Sequence, residues 1–203
     1  RLSIERRTQI LGMLLEGMSL RATARLSGAS LNTVTKLMVE TGAACEKFHD
    51  ANVRKIRANR IECDEIWAFV GSKQKNVPAE KADFWGDVWT WTAIDPDSKL
   101  IVSYLVGARD AGYAQVFMND VADRLVSRVQ PTTDGNRLNL NAVEDAFGSN
   151  VDYAMLEKHY GSASGGHNPA SVRYSPATVT SISKEYVCGA PDPQAVSTSI
   201  VER

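Results

Sequence analysis

Cysteine is scarce in this chain. Cys45, Cys63 and Cys188 are odd in number, far apart and without a C-x-x-C pair, so neither a disulfide scaffold nor a zinc finger is indicated. Long apolar runs are missing too. No stretch of 18 hydrophobic residues occurs and no signal peptide precedes a cleavage site, so a cytoplasmic protein without a membrane span is expected. Strong net charge is also lacking, since the formal total is −1. That total looks wrong for a nucleic-acid binder, but it conceals a division. Residues 1–60 hold 11 Lys/Arg against 5 Asp/Glu, and residues 61–203 hold 12 against 19. A basic N-terminal module is therefore joined to an acidic domain. The 203 residues, 43% hydrophobic and 23% charged, suit one globular domain of about 150 residues with a small appendage.

In the basic part, Ile4, Ile10, Leu11, Leu14 and Leu15 have helical spacing, and Gly17 ends the helix. Ser19 can cap a second helix over residues 20–26. Gly28-Ala29-Ser30 reads as a tight turn, and Ser30 as the cap of a third helix over 31–40. The pair matches a helix-turn-helix, with small Ala24 at the crossing and Val34 and Leu37 facing inward. Asn32, Thr33, Thr35 and Lys36 then face outward on a recognition helix. Arg21, Arg25, Arg54, Lys55, Arg57 and Arg60 are of the type that neutralises phosphates. Residues 1–41 are thus expected to form a DNA-binding module and 42–60 a linking helix, with Cys45 and Phe48 apolar and His49 facing solvent.

The acidic domain, expected over residues 61–203, opens with I-E-C-D-E-I-W-A-F-V. Ile66, Trp67, Phe69 and Val70 suit a pleated, partly buried strand, yet Glu62, Asp64 and Glu65 occupy its first half. Such acids lie either at a water-exposed strand entrance or beside a cation or partner. Gly71–Lys81 follows as a polar loop with Lys73, Lys75 and Lys81, and strands are expected over 87–94 and 100–106 around the turn Asp95-Pro96-Asp97-Ser98. Trp89 and Trp91 share one face and read as core or helix-packing anchors in preference to base-stacking platforms.

Next come a helix over 113–126 started by Gly112, a short strand over 128–132 followed directly by Asp134-Gly135, and a helix over 138–147. A strand over 151–156, a loop over 161–176 and extended structure over 178–188 complete the order. Ser197-Thr198-Ser199 is expected to start one more helix. Three antiparallel strands, then helix, strand, helix, strand, is the order of a ribonuclease-H-like α/β domain, a mixed sheet with flanking helices. Its first and fourth strands lie side by side, which predicts that Asp64 and Asp134 meet.

Clustered carboxylates of this kind hold the two Mg²⁺ ions that cleave phosphodiesters. Asp64 would bridge the metals, Asp134 would join one of them, and Glu202 is the leading third ligand, with Glu185 behind it. Glu62, Glu65, Asp87 and Asp95 read as supporting or surface acids.

Cys63-Asp64-Glu65-Ile66-Trp67, Gly86-Asp87-Val88-Trp89-Thr90-Trp91, Thr132-Thr133-Asp134-Gly135 and Ser197-Thr198-Ser199-Ile200-Val201-Glu202-Arg203 together resemble the IS1-type transposases of bacterial insertion sequences. Arg173-Tyr174-Ser175-Pro176, Asp192-Pro193 and residues 19–37 resemble that family as well. The resemblance implies a DDE recombinase. A helix-turn-helix would read terminal inverted repeats on double-stranded DNA, and a ribonuclease-H-like core would cut and join strands. Asp64, Asp134 and Glu202 would be its catalytic and metal-binding residues, with Mg²⁺ as cofactor and Mn²⁺ able to substitute. It further implies a homo-oligomer on DNA, no small-molecule cofactor, and a nucleoid-associated bacterial protein.

Two departures stand out. The family continues past the glutamate with a basic helix, whereas here only Arg203 follows, and Ile200 stands where an aromatic or His is expected. Since the chain also lacks an initiator Met, a fragment of weak or absent catalytic activity is expected. The alternatives are an inactive transposase fragment acting as a DNA-binding regulator, and a nuclease of the same fold.

Overall fold

A computed structural model describes residues 2–161 and 178–202. The chain divides into two compact units, Arg1–Val53 and Arg54–Arg203.

The first unit is all-helical, with α1 (Ile4–Leu15), α2 (Leu20–Ser27) and α3 (Leu31–Asn52). Each helix begins with a serine that fills an otherwise orphaned N–H. Ser3 Oγ accepts from Arg6 N at 3.3 Å, Ser19 Oγ from Ala22 N at 3.2 Å, and Ser30 Oγ from Thr33 N at 3.2 Å; each such cap is worth about 1 kcal/mol. Gly28 ends α2 at φ 66°, a left-handed conformation that a residue with a Cβ adopts only at a cost of about 1 kcal/mol or more. Ile10, Val34 and Leu37 form the buried centre, with Leu11, Leu14, Leu20 and Ala24 packed around it.

The turn, its caps and the inward faces match the sequence expectation. The separate linking helix over 42–60 does not. Residues 31–52 form one uninterrupted helix, because Gly42 in a helix interior costs only about 1 kcal/mol relative to Ala and breaks nothing by itself. Residues 53–59 are not helical, and Ile56 makes an isolated parallel bridge to Leu125. Cys45 and Phe48 are exposed on α3, and His49 is half-buried instead of facing solvent.

The second unit is mixed α/β, built on a six-stranded mixed sheet. Its strands are β1 (Arg60–Val70), β2 (Gly86–Ile94), β3 (Ile101–Gly107), β4 (Gln130–Asp134), β5 (Tyr153–Gly161) and β6 (Thr178–Cys188), in the order β3-β2-β1-β4-β5-β6. The first three form an antiparallel meander. β4 lies parallel to β1, β5 parallel to β4, and β6 antiparallel to β5.

Between β3 and β4 runs α4 (Ala111–Arg124), and between β4 and β5 runs α5 (Leu138–Phe147). Alternation along the strands sends Ile61, Cys63, Trp91, Tyr153 and Met155 into a core with Phe117, Met118 and Val121 of α4 and Val143 of α5. Each such large side chain contributes roughly 1.5–3 kcal/mol by leaving water. Ala154 and Leu156, of the opposite parity on β5, pack with Val196.

Several details depart from expectation. Asp110 starts α4, its Oδ1 accepting from Tyr113 N at 2.9 Å, and Gly112 lies inside the helix. β5 continues to Gly161. The loop expected over 161–176 lies, after Gly161, outside the described residues, and so does Arg173-Tyr174-Ser175-Pro176. Ser197-Thr198-Ser199 leads into a single turn, closed by Glu202 N donating to Thr198 O at 3.2 Å.

The largest difference is in β1. Its acidic half is buried or half-buried, whereas Ile66, Trp67, Phe69 and Val70 are exposed. The sheet extends β1 and β2 past the ends of their neighbours, so the apolar half has no cover among the described residues. Among those residues no helix is long and apolar enough to cross a membrane.

Candidate active site

Successive side chains on a strand point to opposite faces, and this separates the three acids of β1. Ile61 and Cys63 fill the helix-covered core, which places Glu65 on their side and Glu62 and Asp64 on the other. Glu62 is only 3% exposed. Its Oε2 accepts Ile200 N at 2.7 Å and Val201 N at 3.1 Å, so it anchors the final turn of the chain.

Asp64 meets the second candidate through strand pairing. The parallel register of β1 and β4 sets Glu62 against Thr132, and two residues further along each strand stand Asp64 and Asp134. A 70-residue separation in sequence becomes adjacency. One carboxylate oxygen each from Asp64, Glu65 and Asp134 all lie within 4.8 Å of one another. Among the described residues these three form the group of metal-ligating type. Glu65 was expected to be a bystander; it is instead the third member of the cluster.

Three acids this close strain one another electrostatically. Burial raises the pKa of Asp64 above its ordinary 3.8, and the charges of Asp134 and Glu202 add to the effect, against an opposing hydrogen bond from Glu65 N at 2.8 Å. Glu65 is raised mainly by burial as well, then by Asp134, with Arg109 opposing.

Among the described residues, Arg109 is the cation hydrogen-bonded to the cluster. Its Nη2 donates to Glu65 Oε2 at 3.0 Å and to Asp134 Oδ2 at 3.3 Å, and its Nε also donates to Glu65 at 3.2 Å. The guanidinium stacks over Trp89, its carbon 4.8 Å from the ring centroid. Asn136 completes the frame. Its backbone N donates to Asp134 Oδ1 at 3.0 Å, and its side chain reaches Glu65 Oε1 at 3.4 Å.

Glu202 borders the same cleft, a cavity of about 670 Å³ whose lining also includes Asp64, Asp134, Arg109, Arg137 and Lys158. Its carboxylate is not within the three-acid group. It is ion-paired with Lys158 and accepts from Thr198 Oγ1 at 2.5 Å. The geometry therefore brings Asp64 and Asp134 together and holds Glu202 at the wall.

The remaining acids have structural roles or none here. Asp95 organises the β2–β3 turn by accepting from Asp97 N and Ser98 Oγ. Asp87 exchanges hydrogen bonds with Gln74. Glu185 is exposed on β6, opposite Met155 in register.

Among the residues expected to contact DNA, Arg21, Arg25, Asn32 and Lys36 are exposed on the first unit, and Thr33 and Thr35 are half-buried. Thr33 Oγ1 is engaged with Ser30 Oγ at 2.8 Å inside the α3 cap, and Lys36 lies 3.8 Å from Glu40. Arg54, Lys55 and Arg57 belong to the second unit and are exposed; Arg54 lies 3.8 Å from Asp120. Arg60 pairs with Asp97 at 2.7 Å.

Arg109, Asn136 and Lys158 had no signal in the sequence. Each acquires its place only through the pairing of distant strands.

The donor set fits a hard divalent cation. Carboxylate oxygens converge in a half-buried site where burial disfavours the charges of Asp64 and Glu65, and Mg²⁺ takes oxygen ligands. Neither a protein-family model nor a curated protein matches the sequence.

Proposed function

We propose that the second unit is a ribonuclease-H-like domain that performs Mg²⁺-dependent phosphodiester chemistry on DNA, and that the whole protein is a transposase of the DDE type. The convergence of Asp64 and Asp134 across the parallel β1–β4 pair carries this reading. Order and direction of the strands support it, and so does a cleft of about 670 Å³ over the acids whose lining includes Arg109, Arg137 and Lys158.

Asp64 and Asp134 would hold the metal, with Glu65 and Glu202 as further oxygen donors. A divalent ion bound there supplies charge neutralisation at the phosphodiester and lowers the pKa of an attacking hydroxyl or water. The protein's own groups do the rest. Arg109, Arg137 and Lys158 are placed to bind the non-bridging oxygens of a phosphate, as cations in a low-dielectric cleft do most effectively. Asn136 orients Asp134 and Glu65 through the two hydrogen bonds it makes to them.

The helical unit suits recognition of double-stranded DNA. Its exposed Arg21, Arg25, Asn32 and Lys36 surround the α2–turn–α3 segment, the geometry in which a helix enters a major groove. Terminal inverted repeats are the substrate this predicts, with two copies of the chain acting on paired ends. Arg54, Lys55 and Arg57 would add phosphate contacts.

Cleavage of DNA carrying the repeats, assayed with Mg²⁺ and with EDTA, tests the proposal. Metal-dependent nicking, lost in Asp64→Asn and Asp134→Asn while repeat binding persists, is the expected result. Binding without any metal-dependent cleavage, or cleavage indifferent to both substitutions, would sink it.

A further inference from the structure

The apolar half of β1 raises a question the cleft does not answer. From Ala68 onward β1 and β2 form a two-stranded ribbon, and the rings on it and beside it are exposed where a folded domain normally buries them. Trp67 is 38% exposed, Phe69 47% and Phe84 79%. Trp67 and Phe69 lie on one face, their ring centroids 5.7 Å apart. Trp89 stands directly opposite Trp67 in the antiparallel register, and directly opposed residues share a face. On that face the order from the cluster outward is Glu65, then Trp89 and Trp67, then Phe69.

Cations accompany the rings. Arg109 covers Trp89, and Lys73 Nζ lies 4.8 Å from the centroid of Trp67. At the ribbon's end Lys81 Nζ is 3.9 Å from that of Trp85.

The ribbon end is not a loose loop. Gln74 and Asp87 exchange two hydrogen bonds, Gln74 N to Asp87 Oδ1 at 3.0 Å and Asp87 N to Gln74 Oε1 at 3.3 Å. Gly71, at φ 69°, lies so close beneath Trp85 that a Cβ would stand 2.1 Å from the indole. Lys73 and the rings are therefore presented in a fixed arrangement, which lowers the entropy lost when a partner binds.

From these contacts we infer that the ribbon face is a stacking track for unpaired nucleotides of the DNA strand that leads into the cleft. A protein hydrophobe would cover the rings but offer no anion to Lys73, whose Nζ stands over Trp67. Bases and phosphates answer both requirements at once. Rings accept bases of any sequence, and cations beside the rings accept the backbone, which is how single-stranded segments are held without sequence preference. Arg109 links the two sites, since it contacts Glu65 and Asp134 at one end and Trp89 at the other. This inference rests on the proposed passage of DNA through the cleft. It adds that the strand is unpaired on the ribbon side of the acids.

Binding in EDTA separates this track from the chemistry. The probes are two DNA duplexes of the same sequence, one blunt and one with an unpaired flank of about six nucleotides, a length typical of such sites. The flank carries 2-aminopurine, whose emission falls when it stacks. The wild-type protein is expected to bind the flanked duplex about tenfold more tightly, the scale of one stacked base, and to quench the probe. Trp67→Ala with Phe69→Ala is expected to abolish both the preference and the quenching, and Trp67→Phe to keep most of each. Lys73→Glu should weaken the preference with both rings in place, so the result does not hang on the double variant folding. Equal affinity of the wild type for both duplexes, or a preference that survives loss of the two rings, overturns the track. Asp64→Asn keeps the preference on this account. If it also cleaves like the wild type, the proposed chemistry fails while the track stands.

Discussion

Glu62 Oε2 accepts the backbone N–H of Ile200 at 2.7 Å and that of Val201 at 3.1 Å, tying the first strand of the sheet to the turn that carries Glu202. Glu202 reaches the cleft wall because that turn is fixed. Removing the acceptor orphans two amides of which one lies in a buried residue. Hydrogen bonds to a charged group are worth roughly 1.5–3 kcal/mol each. Glu62→Ala is therefore expected to speed amide exchange at Ile200 and Val201 by more than tenfold and to lower cleavage, with Asp64 and Asp134 in place. Unchanged exchange at those two amides would show that the anchor is incidental.

Arg109 neutralises part of the carboxylate charge that a metal would otherwise meet. In Arg109→Ala the cluster becomes more negative, so Mg²⁺ affinity by calorimetry should rise several-fold. Without metal the same variant should lose about 1–2 kcal/mol of stability, because buried Glu65 keeps no cation beside it. Lower Mg²⁺ affinity would mean that Arg109 helps build the metal site.

The pH dependence of stability follows from the raised pKa values of Asp64 and Glu65. A carboxyl whose folded pKa lies above its unfolded value binds more protons in the folded state, so its contribution to stability falls as pH rises between the two values. Asp64→Asn removes one such penalty and keeps an acceptor for Glu65 N. At neutral pH and without metal the variant is expected to melt higher by roughly 2–4 °C, about what 1 kcal/mol gives in a chain this long. The gain should vanish below the ordinary carboxyl pKa of 3.8, where both forms are neutral. A variant that melts lower at neutral pH would contradict the assigned burial penalty.

On the helical unit, Asn32→Ala and Lys36→Ala should act differently. If the helical unit reads DNA as proposed, Asn32 would read a base edge, and its loss should cost about 1–3 kcal/mol on the cognate repeat and little on unrelated duplex. Lys36 would instead contact phosphate, so its loss should weaken both and reduce the salt slope by about one. Equal effects on both duplexes for both variants would remove α3 as a recognition helix.

Local chemistry made much of this legible in the sequence. Ser19, Gly28 and Ser30 marked the ends of α2 and α3, because caps and left-handed turns demand particular residues. Helix α5 matched because its apolar spacing is regular. The adjacency of β1 and β4 was expected from element order, and so was the meeting of Asp64 with Asp134.

What escaped depends on packing across the chain. Gly42 looked like a boundary between two helices, yet a single glycine does not interrupt α3. The half of β1 richest in apolar residues looked like core, yet it is the exposed half, because β1 and β2 outrun the strands beside them. Glu65 acquired its role from Arg109 and Asn136, residues with no pattern in the sequence to announce them. Glu62 acquired its own from backbone amides 138 and 139 positions away.

Whether Asp64 and Asp134 jointly form a divalent-cation site is read from the binding of Mn²⁺ in place of Mg²⁺, followed by electron paramagnetic resonance. Saturable binding by the wild type is expected, weakened at least tenfold in Asp64→Asn and in Asp134→Asn, with little further loss in the double variant. Binding that survives in either single variant at wild-type affinity would contradict the joint site.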